Sequence, residues 1–469
     1  MSSNATKYTL LGLVVAGCAA VAAASWYTTK SLDEHILSSV DAINRSGVMR
    51  ASWYPESSMP FSRDGVLHLV VINQHMRQNQ NAGAVDSNDP ESLRAAQDAM
   101  TEPLPAEPQK PVELFVNVSN TVLPLIVKGA ATLDMSRGSM AELVKQQAVP
   151  ASLPITLTWK FSAYNQGLDM RLSMDHWMIE HPDLMVKVGA AELMLTGDLR
   201  DTLEFHYGWQ GIKVNNKPAS LGEMDIMPLD GSTLFRRFVG TWISPEGHMV
   251  LEGAHFSAPD AKGELGKFQF DAMMDESPSE TGVMLNVKHH VSLSKLAINT
   301  AQDQFSLEDL SLGLNLTGLN KQGFEELAHL ADAEKPDFMQ MMKSLNKITT
   351  KSVRLELSPS HVKLNKAMVT ASGKLETLPF EVEQLMRASA TDTPHPFKYM
   401  VQGDFTLSAE PKAVLGLPAE WQHQVSALQQ QGFIKSDNKG LTSNLLLRSG
   451  EVTANGKVVP LNEFNTQHE

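Results

Sequence analysis

The sequence predicts a mainly β protein with inserted helices (α+β), in which an extended, twisted antiparallel sheet follows one N-terminal transmembrane helix. Three observations lead to this fold class. Positions 8–27 carry no charge, many later segments alternate apolar and polar residues, and only a few segments beyond position 47 have helical spacing. Alternation with a period of two is typical of strands with one buried and one wetter face, which is usual in antiparallel sheets.

The first predicted element is the uncharged stretch at 8–27. As a helix it would span about 30 Å, which is the thickness of the hydrocarbon core of a bilayer. Tyr8 stands at one end and Trp26 with Tyr27 at the other, where aromatic side chains anchor membrane helices at the interfaces. We therefore predict a signal-anchor helix at 8–27, a short cytoplasmic tail at 1–7 and an exported main domain.

Two other interpretations of this stretch remain open. Ala22-Ala23-Ala24 follows an apolar core and Lys7, as the cleavage site of a signal peptide does. Val15-Ala16-Gly17-Cys18 fits a bacterial lipobox, which would make Cys18 a site of acylation. The apolar run continues to Ala24 after Cys18, and cleavage after Ala24 would leave the aromatic belt without a role. The sequence therefore favours the uncleaved anchor over a cleaved periplasmic protein or a lipoprotein.

A stripe of small residues runs along the predicted anchor. Gly12, Ala16, Ala20 and Ala24 recur every four residues, a spacing that lets two membrane helices approach closely. This predicts a transmembrane dimer seam and hence a homo-oligomer. The alternative is that signal-like segments are simply rich in alanine and glycine.

The chain after the anchor divides into a helix and a long β-rich region. Apolar residues at helical spacing, among them Leu32, Ile36 and Val40, predict an amphipathic juxtamembrane helix at 28–46. The region at 47–469 follows, and its length suggests about two or more subdomains. Within it, 74–111 is rich in Asn, Gln, Ala, Asp and Pro and predicts a flexible exposed loop.

Strand predictions rest on the alternating segments. The most regular are 155–163, 168–174, 203–209 and 310–316. Less regular strands are expected around 66–72, 112–118, 185–195, 249–256, 267–273, 283–298, 353–357 and 398–407. Asn455-Gly456 is a strong hairpin signal, while Asp230-Gly231 and Asn165-Gln166-Gly167 are weaker turn signals. Helices are predicted at 321–348, in two pieces, and at 411–431.

Composition and motifs exclude several classes of function. The net charge of -14 argues against a nucleic-acid binder, and Cys18 is the only cysteine, so the rest of the chain has no disulfide or thiolate metal site. We find no glycine-rich phosphate loop, no G-x-S-x-G elbow and no H-E-x-x-H helix. His289 and His290 are adjacent on a predicted strand and would point to opposite faces. We expect no catalytic site, no cofactor and no metal.

Three stretches carry a family resemblance. They are Ser25-Trp26-Tyr27-Thr28-Thr29-Lys30, then the strand and helix at 310–327, and the closing segment at 450–461 with Asn455-Gly456-Lys457. In these the chain resembles the YdgA/YihF-type family of bacterial envelope proteins, a domain of unknown function (945). The resemblance implies a protein anchored in the inner membrane of a Gram-negative bacterium, with its main domain in the periplasm. It implies no catalytic residue.

Two hypotheses for function follow. The first is a non-enzymatic envelope protein that binds lipid or another apolar envelope ligand on its long sheet, with faces such as Leu310, Leu312, Leu314 and Leu316 as the lining. In the opposing structural interpretation, helices at 321–348 and 411–431 cover that face, because an apolar sheet face must be covered by something. The second hypothesis is a protein-interaction scaffold in envelope assembly, oligomeric through the transmembrane helix.

Overall fold

Antiparallel strands make up most of the described chain. This computed structural model describes residues 32–34, 36–38, 40, 41, 43–45, 49–59, 61–71, 112–123, 125–145, 150–153, 155–216, 222–238, 241–280, 282–300, 304–331, 337–349, 352–382, 400–415, 417, 419–437 and 440–460. Within these ranges no helix is long and apolar enough to cross a membrane. The predicted anchor at 8–27 and the predicted loop at 74–111 lie outside them.

The strands are numbered in chain order. They are β1 (Met49–Met59), β2 (Ser62–Val71), β3 (Val112–Leu123), β4 (Ile126–Leu133), β5 (Ile155–Ser162), β6 (Gly167–Met174), β7 (Trp177–His181), β8 (Leu184–Val188), β9 (Ala191–Asp198), β10 (Thr202–Trp209), β11 (Ile212–Asn216), β12 (Glu223–Ile226), β13 (Leu229–Phe238), β14 (Thr241–Leu251), β15 (Ala254–Ala258), β16 (Ala261–Leu265), β17 (Phe268–Ser279), β18 (Gly282–Thr300), β19 (Gln304–Asn320), β20 (Arg354–Leu364), β21 (Ala367–Thr377), β22 (Val401–Ala409), β23 (Lys435–Asp437), β24 (Gly440–Arg448), β25 (Glu451–Ala454) and β26 (Lys457–Val458).

Helices are fewer. The first, α1, comprises the helical residues between 32 and 45. The others are α2 (Gly138–Lys145), α3 (Lys321–Ala331), α4 (Phe338–Thr349), α5 (Pro411–Leu415) and α6 (Ala419–Gln431). The predicted fold class is therefore confirmed in its coarse form, a mainly β protein with large antiparallel sheets and few helices.

The chain forms two compact units. The N-terminal unit is Met1–Ile179 with Met194–Asp198, and the C-terminal unit is Glu180–Leu193 with Leu199–Glu469. In the N-terminal unit β1 to β6 pair in chain order, each antiparallel to the next. In the C-terminal unit two series of strands meet at β18, which pairs with β17 along one half and with β16 along the other.

The sheet of the N-terminal unit has one apolar side. Direct cross-strand neighbours on that side include Trp53 with Leu67, Val118 with Ala131, and Leu157 with Leu172. The next residues along each strand, such as Thr156, Thr158 and Lys160 on β5, point to the other side because side chains alternate. Helix α1 lies over the apolar side, where its residues Leu32, Ile36, Val40 and Ile43 line a cavity together with sheet residues.

The helices of the C-terminal unit pack at one end of the series. Helices α3 and α4 contact each other. Helix α3 also contacts β18 and β19, α4 contacts β19, α5 contacts β21 and α6 contacts α5. Asn320 caps α3, since its Oδ1 accepts a hydrogen bond from the Gly323 N–H at 2.8 Å. Glu326 of α3 joins α4 through hydrogen bonds from Ser344 and Lys347.

Several sequence predictions change in detail. The segment 411–431 forms two helices, and its sequence between them, Gly416-Leu417-Pro418, contains the two residue types least compatible with a helix interior. Asp230-Gly231 was a wrong turn signal, because both residues lie inside β13. The Asn455-Gly456 hairpin is confirmed, with β25 and β26 paired on either side of it. Helix α2 was not predicted.

Candidate functional site

One apolar face of the C-terminal unit extends across six neighbouring strands in its lower part and seven in its upper part. Four rows of directly opposed residues form it, and we call them together the apolar face. Below, the rows are Tyr207, Gly231, Met249, Phe270, Val291, Leu312 and then Trp209, Leu229, Leu251, Phe268, Leu293, Leu310. Above, they are Val188, Ile212, Ile226, Ala254, Leu265, Leu296, Leu307 and then Val186, Val214, Met224, Phe256, Gly263, Ile298, Phe305.

Between the lower and upper rows each strand is irregular at the same level. We call this level the break line, and it comprises 189–190, 210–211, 227–228, 252–253, 266–267 and 294–295. Hydrogen bonds there run from the Gly189 N–H to the Gly211 carbonyl and from the Gln210 N–H to the Ala190 carbonyl, both at 2.8 Å. The same pattern recurs at 227–228 with 252–253 and at 266–267 with 294–295. Two consecutive residues of each strand thus bond to the same neighbour.

The break line keeps the apolar residues on one face. In a regular antiparallel strand consecutive residues bond to opposite neighbours and their side chains point to opposite faces. Where two consecutive residues bond to one neighbour, the alternation resumes one residue out of step. Trp209 and Ile212 are three positions apart, as are Leu251 and Ala254, yet each pair shares a face. The apolar face therefore continues through the break line.

Glycines make this geometry possible. Gly211 and Gly253 at the break line have φ values of 91° and 149°, which L residues with side chains rarely adopt. A Cβ on Gly211 would lie 2.0 Å from the Ile226 carbonyl oxygen. On the face itself Gly263 lies beneath the ring of Phe256, since a Cβ there would be 1.9 Å from Phe256 Cε1. Gly231 lies in the same way beneath Tyr207.

The upper rows are open to solvent. Phe256 is 43% exposed, and Met224, Ile298 and Phe305 are between 37% and 41% exposed. From Tyr207 to Val214 the face is about 23 Å long at ~3.3 Å per residue, and six strands make it about 24 Å wide. Its area, on the order of 550 Å², is near the upper limit of about 600 Å² for the largest apolar patch on a typical monomer.

The opposite side of this sheet is polar. His248, Asp271 and His290 are direct cross-strand neighbours there, and His248 Nδ1 lies 2.6 Å from Asp271 Oδ1. Burial raises the pKa of Asp271, but hydrogen bonds from His248 and Gln269 outweigh this and hold the pKa below its ordinary value. Lys288 and Asn286 lower the pKa of Asp275 beside it. This side has the character of a solvated surface.

The polar side does not form a hydrolytic triad. His290 Nε2 lies 3.1 Å from Ser311 Oγ, but His290 Nδ1 lies 3.8 Å from Asp271 Oδ2, which is too long for the orienting hydrogen bond. The short bond of Asp271 goes to His248 instead. His289 points to the other face and stacks near Phe270, so the two adjacent histidines diverge as predicted. Among the residues that the structure describes, no group of three acidic, histidine or cysteine side chains could hold a metal.

The residues singled out from the sequence at the N-terminus lie outside the described ranges. These are Tyr8, Gly12, Ala16, Cys18, Ala20, Ala24, Trp26 and Tyr27. Of the predicted lining, Leu310 and Leu312 belong to the apolar face. The upper rows, with Met224, Phe256 and Ile298, were missed, although their alternation within β11, β12 and β15 was a usable signal.

The chain matches a known protein family. A family model described as "Bacterial protein of unknown function (DUF945)" matches residues 139–462, which is more than half of the chain. No curated protein and no solved structure matches the chain.

Proposed function

The chain belongs to the family of bacterial proteins of unknown function DUF945, as its resemblance indicated, and we propose that it binds lipid acyl chains along the apolar face of its C-terminal unit. The observation that carries this proposal is the exposure of Phe256 and its neighbours in a face that continues through the break line. Binding in this proposal is non-enzymatic, because apolar side chains hold the ligand and no residue reacts with it.

The size of the face supports an acyl ligand. Its length of about 23 Å, at ~3.3 Å per residue, is enough for the acyl chain of one leaflet, which spans about half of the ~30 Å hydrocarbon core of a bilayer. Burying apolar area contributes roughly 25 cal/mol per Å², so even part of this face would bind an acyl chain usefully. The described helices of the C-terminal unit pack against β18, β19 and β21, which favours an open face over the covered alternative on β10 to β17.

The proposal includes a location. We propose that 8–27 anchors the chain in the inner membrane and that both units lie in the periplasm, where lipid is close at hand. The uncharged stretch at 8–27 and the aromatic residues at its two ends support this. A scaffold that forms oligomers through Gly12 and Ala16 is the second candidate, and it rests on the sequence alone.

The test is lipid content with matched variants. We expect mass spectrometry of organic extracts from the purified chain to find about one or more lipids per chain. Phe256→Asp and Ile298→Asp place a charge on the apolar face and should remove the lipid. Ser257→Asp and Asn299→Asp place the same charge one residue further along, on the polar side, and should retain it.

Two outcomes would contradict the proposal. One is an empty extract from the unmodified chain. The other is equal loss of lipid from Phe256→Asp and Ser257→Asp, which would mean that charge in these strands acts through folding. Either result would move attention to protein partners and to the scaffold candidate.

A further inference from the structure

A second apolar site lies in the N-terminal unit, between helix α1 and the sheet. The cavity there has a volume of about 290 Å³. Its lining residues are Leu32, Ile36, Val40 and Ile43 of α1 with Trp53, Leu67, Val118, Asn120 and Trp159 of the sheet. Eight of these nine side chains are apolar or aromatic, so the cavity suits a ligand without charge along its length.

Helix α1 is attached to the sheet at its two ends. Near its start Asp33 receives hydrogen bonds from Arg63, with Nε at 3.0 Å from Oδ1 and Nη2 at 3.3 Å from Oδ2. Near its end Asn44 exchanges two hydrogen bonds with the backbone of Ala51, at 2.7 and 3.1 Å. Between these polar attachments the helix faces the sheet through apolar residues that border the cavity. The helix thus bridges the cavity as a cover.

One polar group lies in the cavity wall. Asn120 is 2% exposed, its Oδ1 accepts the Trp159 indole N–H at 3.1 Å and its Nδ2 donates to the Arg63 carbonyl at 3.2 Å. An amide has two donor hydrogens and two acceptor lone pairs, so these bonds use half of its capacity. The remaining donor can bond to a ligand carbonyl or carboxyl oxygen.

Glycines set the position of the two indole rings. A Cβ on Gly129 would lie 2.2 Å from Trp159 Cζ2, and one on Gly65 would lie 2.6 Å from Trp53 Cζ2. Because each ring rests on a glycine, it lies low over the sheet and leaves space beneath α1. The cavity is therefore bordered on both sides by an indole ring that lies over a glycine, Trp159 over Gly129 and Trp53 over Gly65.

From these observations we infer that the cavity holds one unbranched acyl chain, with the carbonyl or carboxyl end at Asn120. At about 30 Å³ for each small group, the volume corresponds to roughly ten carbons. The sequence gives a second reason for an acyl ligand. The predicted membrane anchor ends at position 27, five residues before Leu32, so α1 would lie close to the lipids of the membrane.

Tryptophan quenching tests the assignment. The full chain is held in an amphipathic polymer, because detergent tails would compete, and is titrated with 10-bromodecanoic acid, whose bromine quenches nearby indoles. The titration uses the Phe256→Asp chain, in which the apolar face of the C-terminal unit should no longer hold an acyl chain, and we expect saturable quenching at one site per chain. Of the seven tryptophans, replacing Trp159 with Phe should remove much of the quenching, while replacing Trp421, an exposed residue of α6, should leave it.

A filling variant and a matched control follow. Val40→Phe enlarges a cavity side chain and should weaken binding at least tenfold. Leu37→Phe adds the same ring to the same helix at a position that is 56% exposed, and should leave binding unchanged. A phospholipid with bromodecanoyl chains is titrated in parallel. Quenching by the phospholipid identifies a membrane lipid as the source of the chain, and quenching by the acid alone identifies a free fatty acid.

The inference is overturned by any of three results. They are absence of saturable quenching by both probes, equal affinity in Val40→Phe and Leu37→Phe, or quenching that is lost with Trp421→Phe and retained with Trp159→Phe. The affinity comparison and the tryptophan replacements are independent measurements. If Val40→Phe fails to fold, the tryptophan replacements still show whether the acyl chain lies in the cavity. The site is also separate from the apolar face of the C-terminal unit, and Phe256→Asp should not affect it.

Discussion

The two units differ in how the apolar side of their sheet is covered. Each has an antiparallel sheet with one apolar side, and in each an aromatic ring lies over a cross-strand glycine, Trp159 over Gly129 and Phe256 over Gly263. In the N-terminal unit helix α1 covers the apolar side and leaves a cavity. In the C-terminal unit Phe256 remains 43% exposed. The difference teaches that a sheet face of the same composition can serve as an internal wall or as an external surface.

Replacing Asn120 tests how closed the N-terminal unit is. Asn120→Ala should lower the free energy of unfolding of that unit by about 3 kcal/mol, because the Trp159 N–H and the Arg63 carbonyl lose a partner in a buried place. Native-state hydrogen exchange of β3 to β5 measures the loss. Thr158→Ala, beside Trp159 on the polar side, should change it by less than about 0.5 kcal/mol. Equal effects would mean that Asn120 is accessible to water.

The glycines beneath aromatic rings allow a direct comparison of the units. Gly129→Ala should cost about 2 kcal/mol, because Trp159 is confined by α1 and the new Cβ would also lie 2.5 Å from Asn120 Oδ1. Gly263→Ala should cost less than about 1 kcal/mol, because the exposed Phe256 ring can turn outward. Hydrogen exchange in β4 and in β16 reports each cost. If Gly263→Ala costs as much, the face above it is covered.

Carboxylates in the two units should respond differently to salt. The pKa of Asp64 is lowered by hydrogen bonds from the hydroxyls of Ser119 and Ser62, which are neutral partners. The pKa of Asp275 is lowered by Lys288, which is a cation. Both pKa values are depressed, so both contributions are present above the ordinary value of 3.8 and are lost as the pH falls through the folded value. High salt should screen the pair of Lys288 and Asp275 by about a few tenths of a kcal/mol.

Salt titration of two variants gives the measurement. Asp275→Asn should remove the salt dependence of exchange in β17, and Asp64→Asn should leave the salt dependence in β2 as it was. A salt response at Asp64 as large as that at Asp275 would show that cations contribute to both. This is the smallest of the expected effects.

The strands were largely predictable, because 155–163, 168–174, 203–209 and 310–316 coincide with β5, β6, β10 and part of β19. Alternation is a local signal and needs no knowledge of neighbours. The continuity of the apolar face was not predictable. Trp209 and Ile212 are out of step in the sequence, and only the hydrogen bonds to neighbouring strands show that they share a face.

Two residues show what local patterns miss. Asn120 interrupts the apolar series Val116, Val118 and Val122, and that interruption was a signal for a polar group in the core. Asp230-Gly231 has the composition of a turn, but Gly231 serves as the place where the Tyr207 ring rests. Its role depends on a strand more than twenty residues earlier. The cavity under α1 depends on contacts of the same kind.

The break line has a consequence for how this protein can change over generations. Loss of one residue at Gln210 would give Trp209 and Ile212 the spacing of a regular strand and keep them on one face, but the backbone hydrogen bonds at this level would no longer match those of the neighbouring strands. A similar loss in any single strand would leave it mismatched with both neighbours. Insertions and deletions at this level are therefore tolerated only when they occur in concert, so the six strands form one unit of evolutionary change.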